Sequence, residues 1–133
     1  MFLDRMNENE KRSFLALANA FIRCDDELST EETELVQRLA KEAGLSEAGL
    51  PATTDIATLS DAFADRPSKI CALLELIGLG HADSDYSAAE SQFIGQLAAK
   101  WEIGETEVEL LENWVLRLLS LMMEVQTIID GKE

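Results

Sequence analysis

Histidine, cysteine, proline and glycine are all scarce in this chain of 133 residues. It contains one histidine, two cysteines, two prolines and seven glycines. His81, Cys24 and Cys71 are too few and too far apart for the usual zinc or iron sites, which draw on several such ligands. Unpaired cysteines in apolar surroundings are typical of a reducing compartment. Because helix-breaking residues are rare and β-branched alternation is absent, the pattern predicts helix along the whole chain.

Basic residues and long apolar runs are also few. Eleven Lys and Arg residues against 26 Asp and Glu residues give a net charge of −15. Such a charge repels nucleic acid and anionic membrane surfaces and attracts cations or basic proteins. No apolar run approaches the ~20 residues of a membrane-spanning helix, and the early charged residues argue against a secretion signal. We therefore expect a cytoplasmic protein with no nucleic-acid partner and no direct membrane insertion.

The length suits a single domain, residues 1–133, with a core that needs no disulfide. Apolar residues recur every three or four positions, which predicts an all-α bundle of about six helices. The expected helices cover about 4–24, 29–44, 55–64, 65–80, 87–101 and 105–130. The opening turns of the first can form a separate segment. The fourth is the most apolar and hence the expected centre, where Gly78 and Gly80 would permit close approach of a neighbour.

The last helix carries the broadest apolar face of the sequence. Its members are Leu110, Leu111, Trp114, Val115, Leu118, Leu121, Met122, Val125, Ile128 and Ile129. For Met122 and Met123, core filling is favoured over a partner surface because it is the commoner use of methionine. Trp101 and Trp114 are interpreted as core or packing-edge residues, since the negative charge argues against base stacking.

A nine-residue acidic turn occurs twice at a fixed spacing. Residues 24–32 read C-D-D-E-L-S-T-E-E and residues 82–90 read A-D-S-D-Y-S-A-A-E, with equivalent positions 58 apart (25 to 83, 32 to 90). The repeat predicts two helix-turn-helix units, about residues 10–50 and 68–108, followed by the C-terminal helix 105–130. Gly44 and Gly104 are expected to end the matching helices.

Helix capping accounts for part of each turn. The S-x-x-E patterns from Ser29 to Glu32 and from Ser87 to Glu90 are capping boxes, in which serine and glutamate each accept from the other's backbone N–H. A cap of this kind contributes on the order of 1 kcal/mol. It therefore explains these residues without any ligand.

Capping leaves the other carboxylates unexplained. Asp25 and Asp83 follow the expected C-terminus of a helix, where the macrodipole disfavours negative charge. A divalent cation would offset the repulsion, because calcium takes ~6–8 oxygen ligands and magnesium accepts one or two carboxylates. The turns lack the glycine and the glutamate of an EF-hand. If a pseudo-twofold relates the two units, both turns lie at one end of the bundle. The candidate metal ligands are Asp25, Glu27, Glu32, Asp83, Asp85 and Glu90.

These turns resemble the hallmark of the tellurite-resistance TerB-like domains, an A-D-G-x-h-S-x-x-E turn present twice between paired helices. Residues 82–90 match it well and residues 24–32 nearly as well, within a resemblance that covers about residues 10–120. The glycine position holds Asp26 in one copy and Ser84 in the other. The resemblance implies divalent-cation binding, a role in stress-response or membrane-associated assemblies, and no established catalysis.

The sequence favours two functions and ranks a metal-dependent enzyme third, because no histidine pair, nucleophile–base pair or glycine-rich phosphate loop accompanies the carboxylates. The first is a non-enzymatic, divalent-cation-binding scaffold or sensor, with calcium the first choice and magnesium or manganese as alternatives, that presents a surface to a protein partner. The alternative is a metal-independent acidic interaction module that docks a basic partner. Arg23 and His81 precede the two turns, where a basic residue ordinarily acts as a helix-dipole partner.

Overall fold

The computed structural model describes residues 2–24, 34, 37–38, 40–42, 44, 55–81 and 86–131. These residues confirm the all-α prediction, since they contain helices and no strand. The bounded elements are a 3-10 turn at Leu3–Arg5, α1 at Glu8–Ile22, α2 at Ile56–Ser60, α3 at Arg66–His81, α4 at Ala88–Lys100 and α5 at Glu105–Ile129. Residues 34, 37–38 and 40–42 are also helical, within the second predicted helix. None of the described helices is both long and apolar enough to cross a bilayer.

A capping box separates the opening turn from α1. The Asn7 side chain accepts a 2.8 Å hydrogen bond from the Glu10 backbone N–H, and the Glu10 carboxylate accepts one of 2.8 Å from the Asn7 N–H. This cap satisfies two N–H groups that have no partner inside the helix. The first predicted helix is therefore two segments. The opening turn is held to α3 by a 2.6 Å hydrogen bond from the Phe2 N–H to the Glu75 carboxylate.

The fourth predicted helix, α3, is central as expected. It packs against α1, α4, α5 and the opening turn. Asp65 caps it by accepting from the Ser68 N–H at 2.9 Å. The side chains of α3 that lie in the core are Cys71, Ala72, Leu73, Leu76, Ile77 and Leu79. Cys71 and Cys24 do not form a disulfide with each other, and burial raises the pKa of Cys71.

The last turns of α1 and α3 touch each other at Gly80. A Cβ built on Gly80 would lie 2.7 Å from the Tyr86 ring and 3.0 Å from the Phe21 ring, whereas one on Gly78 would meet nothing within 4 Å. The predicted close approach is therefore confirmed at Gly80 and not at Gly78. Phe21 also packs edge-on against Phe93 of α4, with ring centroids 5.4 Å apart. This aromatic cluster fixes the end of the bundle from which both acidic turns begin.

The repeat also holds at the C-terminal ends of the matching helices. The residue equivalent to Gly44, however, is not the expected Gly104. Gly44 has φ +75°, and the residue 58 positions later with positive φ is Glu102, at +59°. The Glu102 N–H donates to the Ala99 carbonyl and the Ile103 N–H to the Ala98 carbonyl, which is the hydrogen-bond pattern of a Schellman motif. Gly104 instead precedes α5 as its N-cap. The prediction that Gly104 ends α4 is wrong, because the next helix begins immediately after it.

Only the first half of α5 belongs to the core. Val115 is its one buried side chain, and Val108, Leu111 and Leu119 pack partly against the bundle. Every residue from 120 to 131 is exposed, including Met122 and Met123. The expectation that these two methionines fill the core is therefore wrong. Trp101 is buried and donates to the Ser60 carbonyl at 3.1 Å, while Trp114 lies at the packing edge against Phe2.

The Gly80 contact yields a test with an internal control. Gly80→Ala should destabilise the protein by about 1–3 kcal/mol, because the added methyl group overpacks the site. Gly78→Ala adds the same methyl group two residues earlier, where it meets nothing within 4 Å. This variant should be neutral or stabilise the protein by up to ~1 kcal/mol through helix propensity. Urea unfolding followed by circular dichroism measures both. Equal free energies of unfolding for the two variants would contradict the close approach.

Candidate acidic site at the end of the bundle

Five of the six predicted metal ligands, Asp25, Glu27, Glu32, Asp83 and Asp85, lie outside the described residues. Glu90 is the one that the structure places. Its carboxylate accepts a 2.9 Å hydrogen bond from the Ser87 N–H, and Ser87 Oγ accepts one of 3.1 Å from the Glu90 N–H. Glu90 is 3% exposed. The capping interpretation of this pair is confirmed, and one carboxylate oxygen of Glu90 is engaged with the backbone.

The segments that lead into the two turns end side by side. α1 ends at Ile22 and α3 at His81, and the contact of Phe21 with Gly80 joins their last turns. The carbonyl ends of two helices, each with a partial negative charge, therefore meet at one end of the bundle. Arg23 caps the end of α1, and its Nε donates to the Asn19 side chain at 3.2 Å. Arg23 is exposed and lies where a helix-dipole partner was expected.

His81, Tyr86 and Glu112 form a cluster that connects this end of α3 to α5. The His81 ring stacks on the Tyr86 ring with centroids 4.2 Å apart. Tyr86 Oη donates a 3.3 Å hydrogen bond to the Glu112 carboxylate. Burial, with Glu112 adding to it, raises the pKa of Tyr86, so the phenol stays protonated and remains a donor. Tyr86, which follows residues 82–85 in the chain, is thereby hydrogen-bonded to α5.

His81 is neutral at physiological pH. Burial lowers its pKa below the usual value, and the opposing effect of Glu112 is smaller. A dipole partner at a helix C-terminus acts through the protonated form, which burial disfavours here. The contact that the structure shows for His81 is the stack with the Tyr86 ring.

An acidic groove runs between α4 and α5 beside this cluster. It has a volume of about 790 Å³. Its apolar floor includes Ala98, Ile103 and Val108, and its α5 rim carries Glu105, Glu109 and Glu112. None of the described residues that line it is basic. The groove can therefore accept a cationic, partly apolar ligand.

Sequence reasoning missed Tyr86, Glu112 and the groove. A signal was present in part, because Glu105, Glu109 and Glu112 are spaced four and three apart and so share one face of the last helix. Which neighbour that face borders depends on how α4 packs, and no local pattern contains that information.

Among the residues that the structure describes, no group of three or more histidine, cysteine, aspartate or glutamate side chains is arranged to hold a metal ion. Comparison with known proteins adds no relative: no family model, curated protein or solved structure matches the chain.

The His81 environment predicts a pH dependence of stability. A base whose pKa is lower in the folded state binds its proton more readily when unfolded, so the free energy of unfolding should fall as pH drops below ~6.5, the unfolded pKa. We expect the wild type to lose stability between pH 8 and 5.5 relative to His81→Phe, which keeps a stacking ring and does not titrate. Urea unfolding in the presence of EDTA measures the difference.

Because this is the only histidine, its NMR titration reports the same quantity directly. A titration midpoint above 6.5, or parallel stability profiles for the two proteins, would contradict the assignment of His81 as a half-buried, neutral side chain.

Proposed function

We propose that the protein is a non-enzymatic helical scaffold or sensor that binds a divalent cation between its two acidic turns. The observation that carries this proposal is the contact of Phe21 with Gly80, because it brings together the helix ends from which both turns begin. Two helix C-termini contribute partial negative charge at this end. The sequence then adds Asp25, Glu27, Asp83 and Asp85 just beyond them.

A hard cation suits this environment better than a thiolate- or imidazole-seeking metal. Calcium, magnesium and manganese prefer carboxylate and carbonyl oxygens. The ligands would come from Asp25, Glu27, Glu32, Asp83 and Asp85, with Glu90 limited by its bond to the Ser87 N–H. The bound ion would hold the two turns together and so couple cation concentration to the shape of one end of the bundle. The stress-response role that the TerB-like resemblance implies remains part of this proposal.

Calorimetry with calcium, magnesium and manganese tests cation binding. Asp25→Asn and Asp83→Asn should each weaken binding by tenfold or more, on the order of 1.4 kcal/mol, because each removes a charged ligand. Asp61→Asn, an equal change of charge at the exposed end of α2, is the control and should bind as the wild type does. Saturating ion should also raise the melting temperature of the wild type. Absence of heat with all three ions at millimolar concentration would refute the proposal.

Glu90→Gln separates capping from ligation in the same experiment. Glutamine can still accept from the Ser87 N–H, since it serves in capping boxes as glutamate does. It lacks the charge that a cation ligand needs. Unchanged affinity would restrict Glu90 to capping, whereas a tenfold loss with normal stability would make it a ligand.

A second candidate function is favoured by the groove between α4 and α5. Its apolar floor and its rim of Glu105, Glu109 and Glu112 are complementary to a basic amphipathic helix, which would place apolar residues on the floor and lysine or arginine along the rim. The net charge of −15 would accelerate the approach of such a segment. In this function the protein is a metal-independent interaction module.

A synthetic 18-residue amphipathic helix of leucine and lysine is a suitable probe. Fluorescence anisotropy should show binding that weakens with salt and that falls at least about fivefold in Glu105→Gln/Glu109→Gln, because two rim charges are lost. Asp4→Asn/Asp61→Asn removes the same charge at two exposed positions outside the groove and is the control. Equal affinity for all three proteins would exclude the groove, and binding that requires calcium would favour the first function.

A further inference from the structure

The C-terminal half of α5 carries most of the large apolar side chains that are exposed in the described part of the chain. Ile128 is 76% exposed, Met123 71% and Leu121 58%. α5 has 25 residues and is therefore about 37 Å long, but its contacts with the core end near Leu119. Apolar surface of this extent on a soluble protein commonly marks an interaction site.

Apolar residues along one side of α5 follow a heptad repeat, in which Trp114, Leu121, Val125 and Ile128 are exposed and Leu111 and Leu118 are half-buried. Helices draw most of their stability from packing of an amphipathic face, so an unpacked apolar stripe indicates a missing partner helix. The a positions are Leu111, Leu118 and Val125, and the d positions are Trp114, Leu121 and Ile128. Spacings of three and four residues keep all six along one seam. Arg117 and Glu124 occupy consecutive g positions beside it.

We propose that the C-terminal half of α5 pairs antiparallel with α5 of a second copy of this chain. In an antiparallel pair, each a residue meets a d residue across a twofold axis, and g residues face g residues. Placing Leu118 against Leu121 of the second copy aligns Trp114 with Val125 and Leu111 with Ile128. The same register sets Arg117 opposite Glu124 of the second copy. The twofold axis generates a second, identical pair between Glu124 and Arg117 of the second copy.

Charge is what selects a second copy as the occupant. Between 113 and 129, Arg117 and Glu124 are the only charged residues, so this surface is neutral although the chain carries −15. Two copies can thus meet here with little of the repulsion that their other surfaces would cause. A parallel pair would set g residues against e positions, which hold Val115, Met122 and Ile129, and would leave the charges unmatched.

A membrane surface fits the stripe less well. Helices that lie on membranes usually carry several lysine or arginine residues on the polar face. The polar face of this half-helix has Arg117 as its single basic residue, alongside Asn113, Ser120, Glu124 and Thr127. The overall negative charge adds repulsion from anionic lipids.

Oligomeric state measured over a concentration series tests the pairing. Sedimentation equilibrium of the full chain should give a monomer–dimer equilibrium. Leu121→Glu should shift it to monomer, because it places a charge in the seam. Ser120→Glu adds the same charge one position away, off the seam, and should dimerise as the wild type does. Both sites are exposed, so circular dichroism should show intact folding.

Charge reversal tests the antiparallel register itself. Arg117→Glu and Glu124→Arg alone should each weaken dimerisation by about tenfold, since each creates two like-charge pairs. The double variant Arg117→Glu/Glu124→Arg should restore wild-type affinity. A chain that stays monomeric at hundreds of micromolar, or captures only another protein or vesicles, overturns the proposal. A double variant no better than the single variants overturns the register. All samples contain EDTA, so cation binding does not contribute to these outcomes.

Discussion

The close approach of α1, α3 and Tyr86 at Gly80 is the constraint on which the rest of the structure depends. Only glycine leaves room there, because a Cβ would come within 3.0 Å of both the Phe21 and the Tyr86 rings. Through this point α1 meets the central helix, and Tyr86 reaches Glu112 of α5. One missing methyl group thus sets the spacing between the helix ends that precede the acidic turns. The proposed cation function relies on that spacing.

Capping and function compete for the same residues in this protein. Glu10 and Glu90 are both nearly buried, at 6% and 3% exposure, and both accept from the N-cap backbone. A buried carboxylate is tolerated when hydrogen bonds and a helix N-terminus compensate for the loss of water. Each therefore has a structural reason to be there. For the aspartates of the two turns the sequence offers no capping role, and these residues carry the cation proposal.

Negative charge and exposed apolar surface occupy different parts of α5. The groove with Glu105, Glu109 and Glu112 lies along its first half. The second half is neutral and apolar, and its Met122 and Met123 line one pocket with His81, at the C-terminal end of α3. Charge favours a cationic ligand at the groove, and exposed apolar area favours another helix at the second half of α5. The proposed pairing surface therefore lies at the same end of the bundle as the helix ends that precede the acidic turns.

Sequence alone determined the helices, several of their caps and the repeat, because these depend on contacts within a few residues. The box at Ser87 and Glu90, the cap at Asp65 and the central position of α3 were all predicted from local pattern. The tertiary structure alone decided what each helix face meets. Apolar periodicity in α5 was the same on both sides of Leu119, yet one half packs and the other does not, because burial depends on where the bundle ends. Likewise, the residue that matches Gly44 is Glu102 and not Gly104. Which residue adopts the left-handed backbone conformation depends on where α4 ends and where α5 begins.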